Sequence, residues 1–168
     1  MSSKMQTHNG MTIGNLNVCH LRNKIGDVNV LLKNHPDKVH LFGINESRLD
    51  SDIDDSLIHI NNYSFVRKDA KQIKGHTGLV IYIHDSIRHF VRRRDDLETD
   101  KVEAIWLEIY QKKSASAFVC SLYRNPASTS EWMDDFMAML DKIPVNSDII
   151  LIGDLTLIYS NSRILGCQ

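Results

Sequence analysis

Gly78-Leu-Val-Ile-Tyr-Ile83 and Ile149-Ile-Leu-Ile152 are continuous apolar runs rich in β-branched residues. Such runs mark strands covered on both faces. Working outward, Val39–Ile44 (VHLFGI) is a third short apolar run, and it ends in polar residues. Glu103–Ile109 (EAIWLEI) and Ala115–Tyr123 (ASAFVCSLY) read as an adjacent strand pair across a turn at Gln111–Ser114. A first strand opens the stretch IGNLNVCHL at Ile13–Leu21. Between these runs the period changes. Asn23–Asn34 brings Ile25, Val28, Leu31 and Leu32 to one side of a helix, with Gly26 as an interruption. Trp132, Phe136, Met139, Leu140 and Ile143 recur at helical spacing behind a possible capping box of Ser128 and Glu131, and Pro144 stops that helix. The order is strand, helix, strand, a run of strands, helix, strand, which is an α/β class with mixed strand pairing.

Composition narrows the function classes. The chain has 168 residues, enough for one domain that buries roughly 70% of the surface its unfolded form exposes. Hydrophobic residues at 42% and charged residues at 24% exclude a disordered, collagen-like or coiled-coil chain. No apolar run approaches the roughly 18 residues that span a bilayer, and MSSKMQTHNG lacks the apolar stretch of a signal peptide. The expectation is a soluble intracellular domain without a membrane partner. Lys and Arg number 20 against 21 Asp and Glu, a net charge of −1. Binding to nucleic acid by bulk attraction alone calls for a basic chain, but a nuclease that gathers carboxylates around a metal does not. Cys19, Cys120 and Cys167 form no CxxC pair. Cys19 and Cys120 lie in apolar segments and read as small core residues.

Two carboxylates end apolar runs: Glu46 after VHLFGIN and Asp154 after IILIG. Ligands of α/β sheets gather beyond the carboxyl ends of strands, and a hard cation such as Mg²⁺ needs only one or two carboxylates besides its waters. Read alone, the pair fits a cation site or two solvated loop acids. Asn17 suits a phosphate, a metal-bound carboxylate or a turn. Tyr123 and Arg124, just before Asn125–Pro126, suit an oxyanion or an ordinary surface. Arg92–Arg94 fit a phosphate backbone, or, with Asp95 and Asp96 beside them, a solvated loop; Ser51–Ser56 (SDIDDS) is the other loop-like charge run. The histidines show no zinc-helix spacing, and no P-loop, GxGxxG or GxSxG occurs.

Taken in order, six segments resemble one family. They are LNVCHLRNK (Leu16–Lys24), FGINESRL (Phe42–Leu49), GHTGLVIYI (Gly75–Ile83), VEAIWLEI (Val102–Ile109), CSLYRNP (Cys120–Pro126) and DIILIGDLT (Asp148–Thr156). Their succession is similar to the endonuclease/exonuclease/phosphatase superfamily, closest to the endonuclease domains of non-LTR retrotransposons, relatives of the abasic-site endonucleases. The resemblance implies a deoxyribonuclease-like four-layer α/β/β/α sandwich and Mg²⁺- or Mn²⁺-dependent cleavage of DNA. By motif position, Glu46 is the main metal ligand, with Asp154 beside it. Asn17 orders metal and phosphate, and Tyr123 donates to the phosphate. Asp154 orients or deprotonates the attacking water, and Arg124 adds a phosphate contact.

Two departures qualify that expectation. Thr156 stands where the family carries an amide that donates to the phosphate, so a shorter hydroxyl takes that place. The family's later S-D-H motif has no counterpart before Gln168. The domain is expected over 13–156, between a tail at 1–12 and a non-matching tail at 157–168, with the sandwich incomplete at its C-terminal end. Weak cleavage, or an inactive domesticated binding module of the same fold, is the paired expectation. A phosphatase acting on a small phosphoester is a third. An incomplete sandwich also exposes a sheet edge, so a homodimer through that edge is expected.

Overall fold

The computed structural model describes residues 10–35, 37–70, 76–110 and 115–155. Strands β1 (Ile13–Asn17), β2 (Leu41–Asn45), β3 (Tyr63–Lys68) and β4 (Leu79–His84) form one sheet in the order β1-β2-β4-β3. Strands β5 (Val91–Arg93), β6 (Glu103–Ile109), β7 (Ala117–Arg124) and β8 (Asp148–Leu155) form the second, in the order β5-β6-β7-β8. β1 runs parallel to β2 and β7 parallel to β8, while the other pairs are antiparallel. Helix α1 (Leu21–Asn34) follows β1, and α2 (Glu131–Leu140) joins β7 to β8. These two helices are the right length to bridge parallel neighbours, which a tight hairpin cannot do.

Strand periodicity decides the layers. Leu41, Leu79, Ile81, Ile83, Ile105, Leu107, Ile109 and Val119 interdigitate between the sheets. The alternate residues of the same strands face outward. Phe42, Ile44, Val80 and Tyr82 meet Leu21, Val28 and Leu32 of α1, while Ala104, Trp106, Phe118, Cys120 and Leu122 meet Trp132, Phe136 and Met139 of α2. The result is the expected α/β/β/α sandwich, because each of β2, β4, β6 and β7 is apolar on both faces and must be covered twice.

Several expectations need correction. Among the described residues IILI is not covered on both faces: β8 pairs there with β7 alone, and Ile149, Ile150 and Leu151 remain 37–42% exposed. Ser128 and Glu131 do not form a capping box. Ser130 precedes α2 in helical conformation without a side-chain cap, and Ser128 donates its amide to Asn125 O in a turn. Ile143 lies past the end of α2 yet is buried with its apolar face. Arg92 and Arg93 belong to β5, not a loop, and YSFVRK forms β3, a strand whose mixed polarity conceals it. Cys120 is buried as expected, but Cys19 is exposed, because its backbone turns left-handed (φ 46°) as the chain leaves β1. The Gln111–Ser114 turn, Thr156, Cys167 and the 157–168 tail lie outside the described residues.

Candidate active site at the strand ends

Follow the inner face of each strand and it turns polar at one end of the sandwich. β1 presents Ile13, Asn15 and Asn17; β2 presents Leu41, Gly43 and Asn45; β7 presents Val119, Ser121 and Tyr123. On β8, Ile152 lies opposite Ser121 and Asp154 opposite Tyr123. On β6, Glu103 lies opposite Tyr123 from the other side. β1, β2, β7 and β8 all finish at this rim, and the antiparallel β4 and β6 begin there.

Close approach of the sheets brings the rim together. A Cβ on Gly43 would sit 2.6 Å from Asn15 Oδ1, 2.9 Å from Ile152 Cδ1 and 3.3 Å from Ser121 Oγ, so only glycine lets β2 face β7 and β8 at that distance. The fully buried Asn45 then spans the gap, donating Nδ2 to Leu122 O at 2.9 Å. Gly153 adopts φ +139°, and a Cβ there would fall 1.9 Å from Leu122 O. Asp154 is carried forward by this glycine-dependent twist.

Asn17 joins the two carboxylates. Its Nδ2 donates to Glu46 Oε1 at 2.8 Å and to Asp154 Oδ2 at 3.3 Å. The Cys19 thiol donates to Glu46 Oε2 at 3.2 Å, and the Arg48 guanidinium lies 3.5 Å from the same oxygen. Glu46 and Arg48 both hold left-handed backbone (φ 54° and 50°), an arrangement that β2 alone would not select. The Asn17 bond is the main reason the Glu46 carboxyl lies below its usual range, with Cys19 and Arg48 adding to it against partial burial. Burial raises the Tyr123 phenol, and the charges of Glu46 and Asp154 push it further, so it stays a hydrogen-bond donor at neutral pH. Glu103 is also raised, by burial first, although backbone amides of Gly78 and Thr77 oppose this.

The second flank of the rim faces α2. Arg124 points to the opposite side of β7 from Tyr123 and stacks on the Trp132 ring, 5.3 Å from its centroid. His76, Lys101, Glu103, Tyr123, Asn125 and Trp132 line a cavity of about 90 Å³. It adjoins a wider groove of about 600 Å³ whose walls include Asp100, Glu131, Asp134 and Asp135. Among the described residues, no three or more His, Cys, Asp or Glu side chains gather closely enough to enclose a metal ion. A cation held by two carboxylates and mostly by water makes no such demand.

This arrangement of two sheets and two helices has solved counterparts. The AP endonuclease LMAP from Leishmania major superposes with a TM-score of 0.64 at 15% identity, covering 85% of this chain and 54% of that one. The catalytic domain of Xenopus laevis APE2 superposes with a TM-score of 0.55 at 12% identity, covering 86% of this chain and 58% of that one. The chain has the endonuclease/exonuclease/phosphatase fold. It spans a little over half the length of those two structures. No protein-family model matches the sequence, and no curated protein matches it either.

Within this fold, three sequence-derived candidates, Asn17, Glu46 and Asp154, are in direct contact. Tyr123 stands beside Asp154 in register, Arg124 is turned away toward Trp132, and Thr156 lies outside the described residues. Sequence reasoning missed Glu103, Asn45 and His76. Glu103 and Asn45 carried a usable signal, since each is a polar residue at the end of an otherwise apolar alternation. His76 carried none, because only the tertiary fold brings it beside Tyr123.

Proposed function

We propose that this chain is a Mg²⁺-dependent endonuclease domain that hydrolyses DNA phosphodiester bonds inside the cell, descended from a non-LTR retrotransposon. The carrying observation is the Asn17 amide bound at once to Glu46 and Asp154. It holds two hard oxygen donors at the open end of the sandwich, with a protonated phenol next to them. The donor set suits Mg²⁺ or Mn²⁺, with Glu46 as the leading ligand and Asp154 nearby. When bound, such a cation offsets phosphate charge and polarises the P–O bonds. Asp154 orients the attacking water and accepts its proton. Tyr123 donates to a non-bridging phosphate oxygen as charge builds there. Asn17 keeps both carboxylates in place. The six-segment succession supports DNA as substrate and the retroelement origin. Plasmid nicking with and without Mg²⁺ tests this: the wild-type chain nicks slowly and the Glu46→Ala chain does not. Metal-independent nicking, or nicking retained in Glu46→Ala, overturns it.

A second reading has its own observation. Among the described residues no strand pairs with the outer edge of β8, and Ile149, Ile150 and Leu151 make that strand apolar on both faces, which suits a binding module that pairs with a second copy through this strand. Sedimentation equilibrium distinguishes the two: a concentration-dependent dimer abolished by Ile150→Lys supports the module, and a monomer at all concentrations removes it.

A further inference from the structure

Hydrogen bonds at the rim run in one direction through three loops. After β1, the amides of Val18, His20 and Leu21 donate to the carbonyls of Asn45, Glu46 and Ser47 at 3.1, 2.9 and 3.0 Å. After β2, the amides of Ser47 and Arg48 donate to the carbonyls of Gly78 and Thr77 at 3.0 and 2.8 Å. The amides of Thr77 and Gly78 then donate to a single side chain, the carboxylate of Glu103. Thr77 N lies 2.9 and 3.0 Å from its two oxygens, and Gly78 N lies 2.5 Å from Oε1. Every earlier acceptor in this relay is backbone at the end of β2 or in the loops that leave β2 and enter β4. The last belongs to β6 in the second sheet, is 3% exposed, and sits opposite Tyr123.

The relay crosses a segment that local preference does not stabilise. Glu46 and Arg48 hold positive φ, and non-glycine residues keep that conformation only where surrounding bonds over-determine it. A carboxylate accepting several amide bonds is among the stronger neutral-to-charged anchors available to a loop. We propose that Glu103 is a positioning residue: by gripping Thr77 and Gly78 it sets the loop that carries Glu46 against Tyr123 and Asp154 of the other sheet. It touches neither substrate nor cation and acts through the backbone of the 77–78 and 46–48 turns. The inference rests on the cation-site reading for its functional consequence, but not for its geometry.

Glu103→Gln in the full chain separates the two. The substitution keeps the shape and replaces one acceptor oxygen with an NH₂ group facing an amide N–H. Amide hydrogen exchange, measured without metal, should accelerate at Ser47 and Arg48, two turns removed from the substitution. Mn²⁺ affinity by calorimetry should fall roughly 10- to 100-fold, the usual effect of losing a group that orients a ligand. Glu46→Gln combined with Glu103→Gln should bind Mn²⁺ no more weakly than Glu46→Gln alone, since both act on one ligand. Unchanged exchange at Ser47 and Arg48 in a folded Glu103→Gln chain overturns the proposal. So does loosening spread evenly over β4 and β6, which is what a merely structural buried acid would give. If the wild-type chain takes up no Mn²⁺, the cation reading falls by itself and exchange alone decides the clamp. Should Glu103→Gln fail to fold, Glu103→Asp carries the same comparison, keeping the charge but withdrawing it by one methylene.

Discussion

The arginine-rich flank at Arg92–Arg94 and the carboxylate rim at Glu46 are both charged regions of the sandwich, and their charges are arranged oppositely. On the flank each charge meets its opposite. Arg93 grips Glu98 through two bonds of 3.0 and 2.8 Å, and Arg94 grips Asp96 at 2.7 and 2.6 Å while reaching Glu108 at 3.0 Å. Arg92 stands 3.4 Å from the same Glu108 carboxylate, and Lys68 stands 3.7 Å from Glu98. At the rim Glu46 meets Arg48 at 3.5 Å, and Asp154 meets the neutral amide of Asn17. A charge cluster that neutralises itself holds a fold together. One that keeps surplus negative charge on strained backbone is suited to an external cation. The arginine stretch that resembles a phosphate-binding patch in sequence is thus neutralised by its own acids, whereas the acidic strand ends are the residues the proposed cation site uses.

The contrast can be tested from both sides. The largest effect should come from Asp154→Asn, which removes the proposed proton acceptor and should slow plasmid nicking by ~10²–10⁴-fold with the melting temperature unchanged. Unaltered nicking would move water activation elsewhere, and His76 in the Tyr123 cavity becomes the next variant to make. Glu46→Gln comes second. Losing one charge-assisted bond of about 1.5–3 kcal/mol should weaken Mn²⁺ binding by roughly tenfold or more, read by calorimetry. Equal affinity for wild type and variant would erase the distinction between the two regions.

On the flank, Arg94→Ala should leave nicking rate and Mn²⁺ affinity untouched. Unfolding in urea should show a cost of about 1–3 kcal/mol, because the mostly buried Glu108 loses its nearest donor. A loss of activity without a loss of stability would show that the flank does contact substrate. The smallest effect concerns acid. Arg94 holds the Asp96 carboxyl at about 2, below the ordinary 3.8. A lowered folded-state value contributes stability that is complete above the unfolded value and fades as pH falls through the folded one. Asp96→Asn should therefore flatten the acid limb slightly between those two values, and an unchanged limb would show the pair to be solvent-screened.

How much of this was legible in the residues depends on periodicity. GLVIYI and EAIWLEI carry enough apolar residues on both faces to announce covered strands in any context. YSFVRK and VRR do not: they lie at sheet edges, where one polar face is tolerated, and alternation is too short there to be told from loop. IILI misleads in the other direction, since four apolar residues look the same in a central strand and at an edge, and only the strand order places them outside. The capping-box spacing of Ser128 and Glu131 was real as a pattern, but the Asn125–Ser128 turn captures Ser128 first.

The amino-acid order by itself determined that GLVIYI is a strand buried on two faces, that two helices accompany the strands, and that Glu46 and Asp154 stand at strand ends. Those features follow from local alternation and from spacing along one strand, which neighbouring residues decide among themselves. What only the tertiary structure decided is that Asn17 reaches both carboxylates, that Cys19 and Arg48 join Glu46, that Arg124 stacks on Trp132, and that Glu103 closes the relay. Most of these contacts join separate segments, and two of them, Asn17 to Asp154 and Glu103 to Gly78, cross from one sheet to the other. The separation across the sandwich is set by how closely Gly43 lets β2 approach β7 and β8, while Gly153 fits β8 against Leu122 within its own sheet, and no single strand contains either quantity.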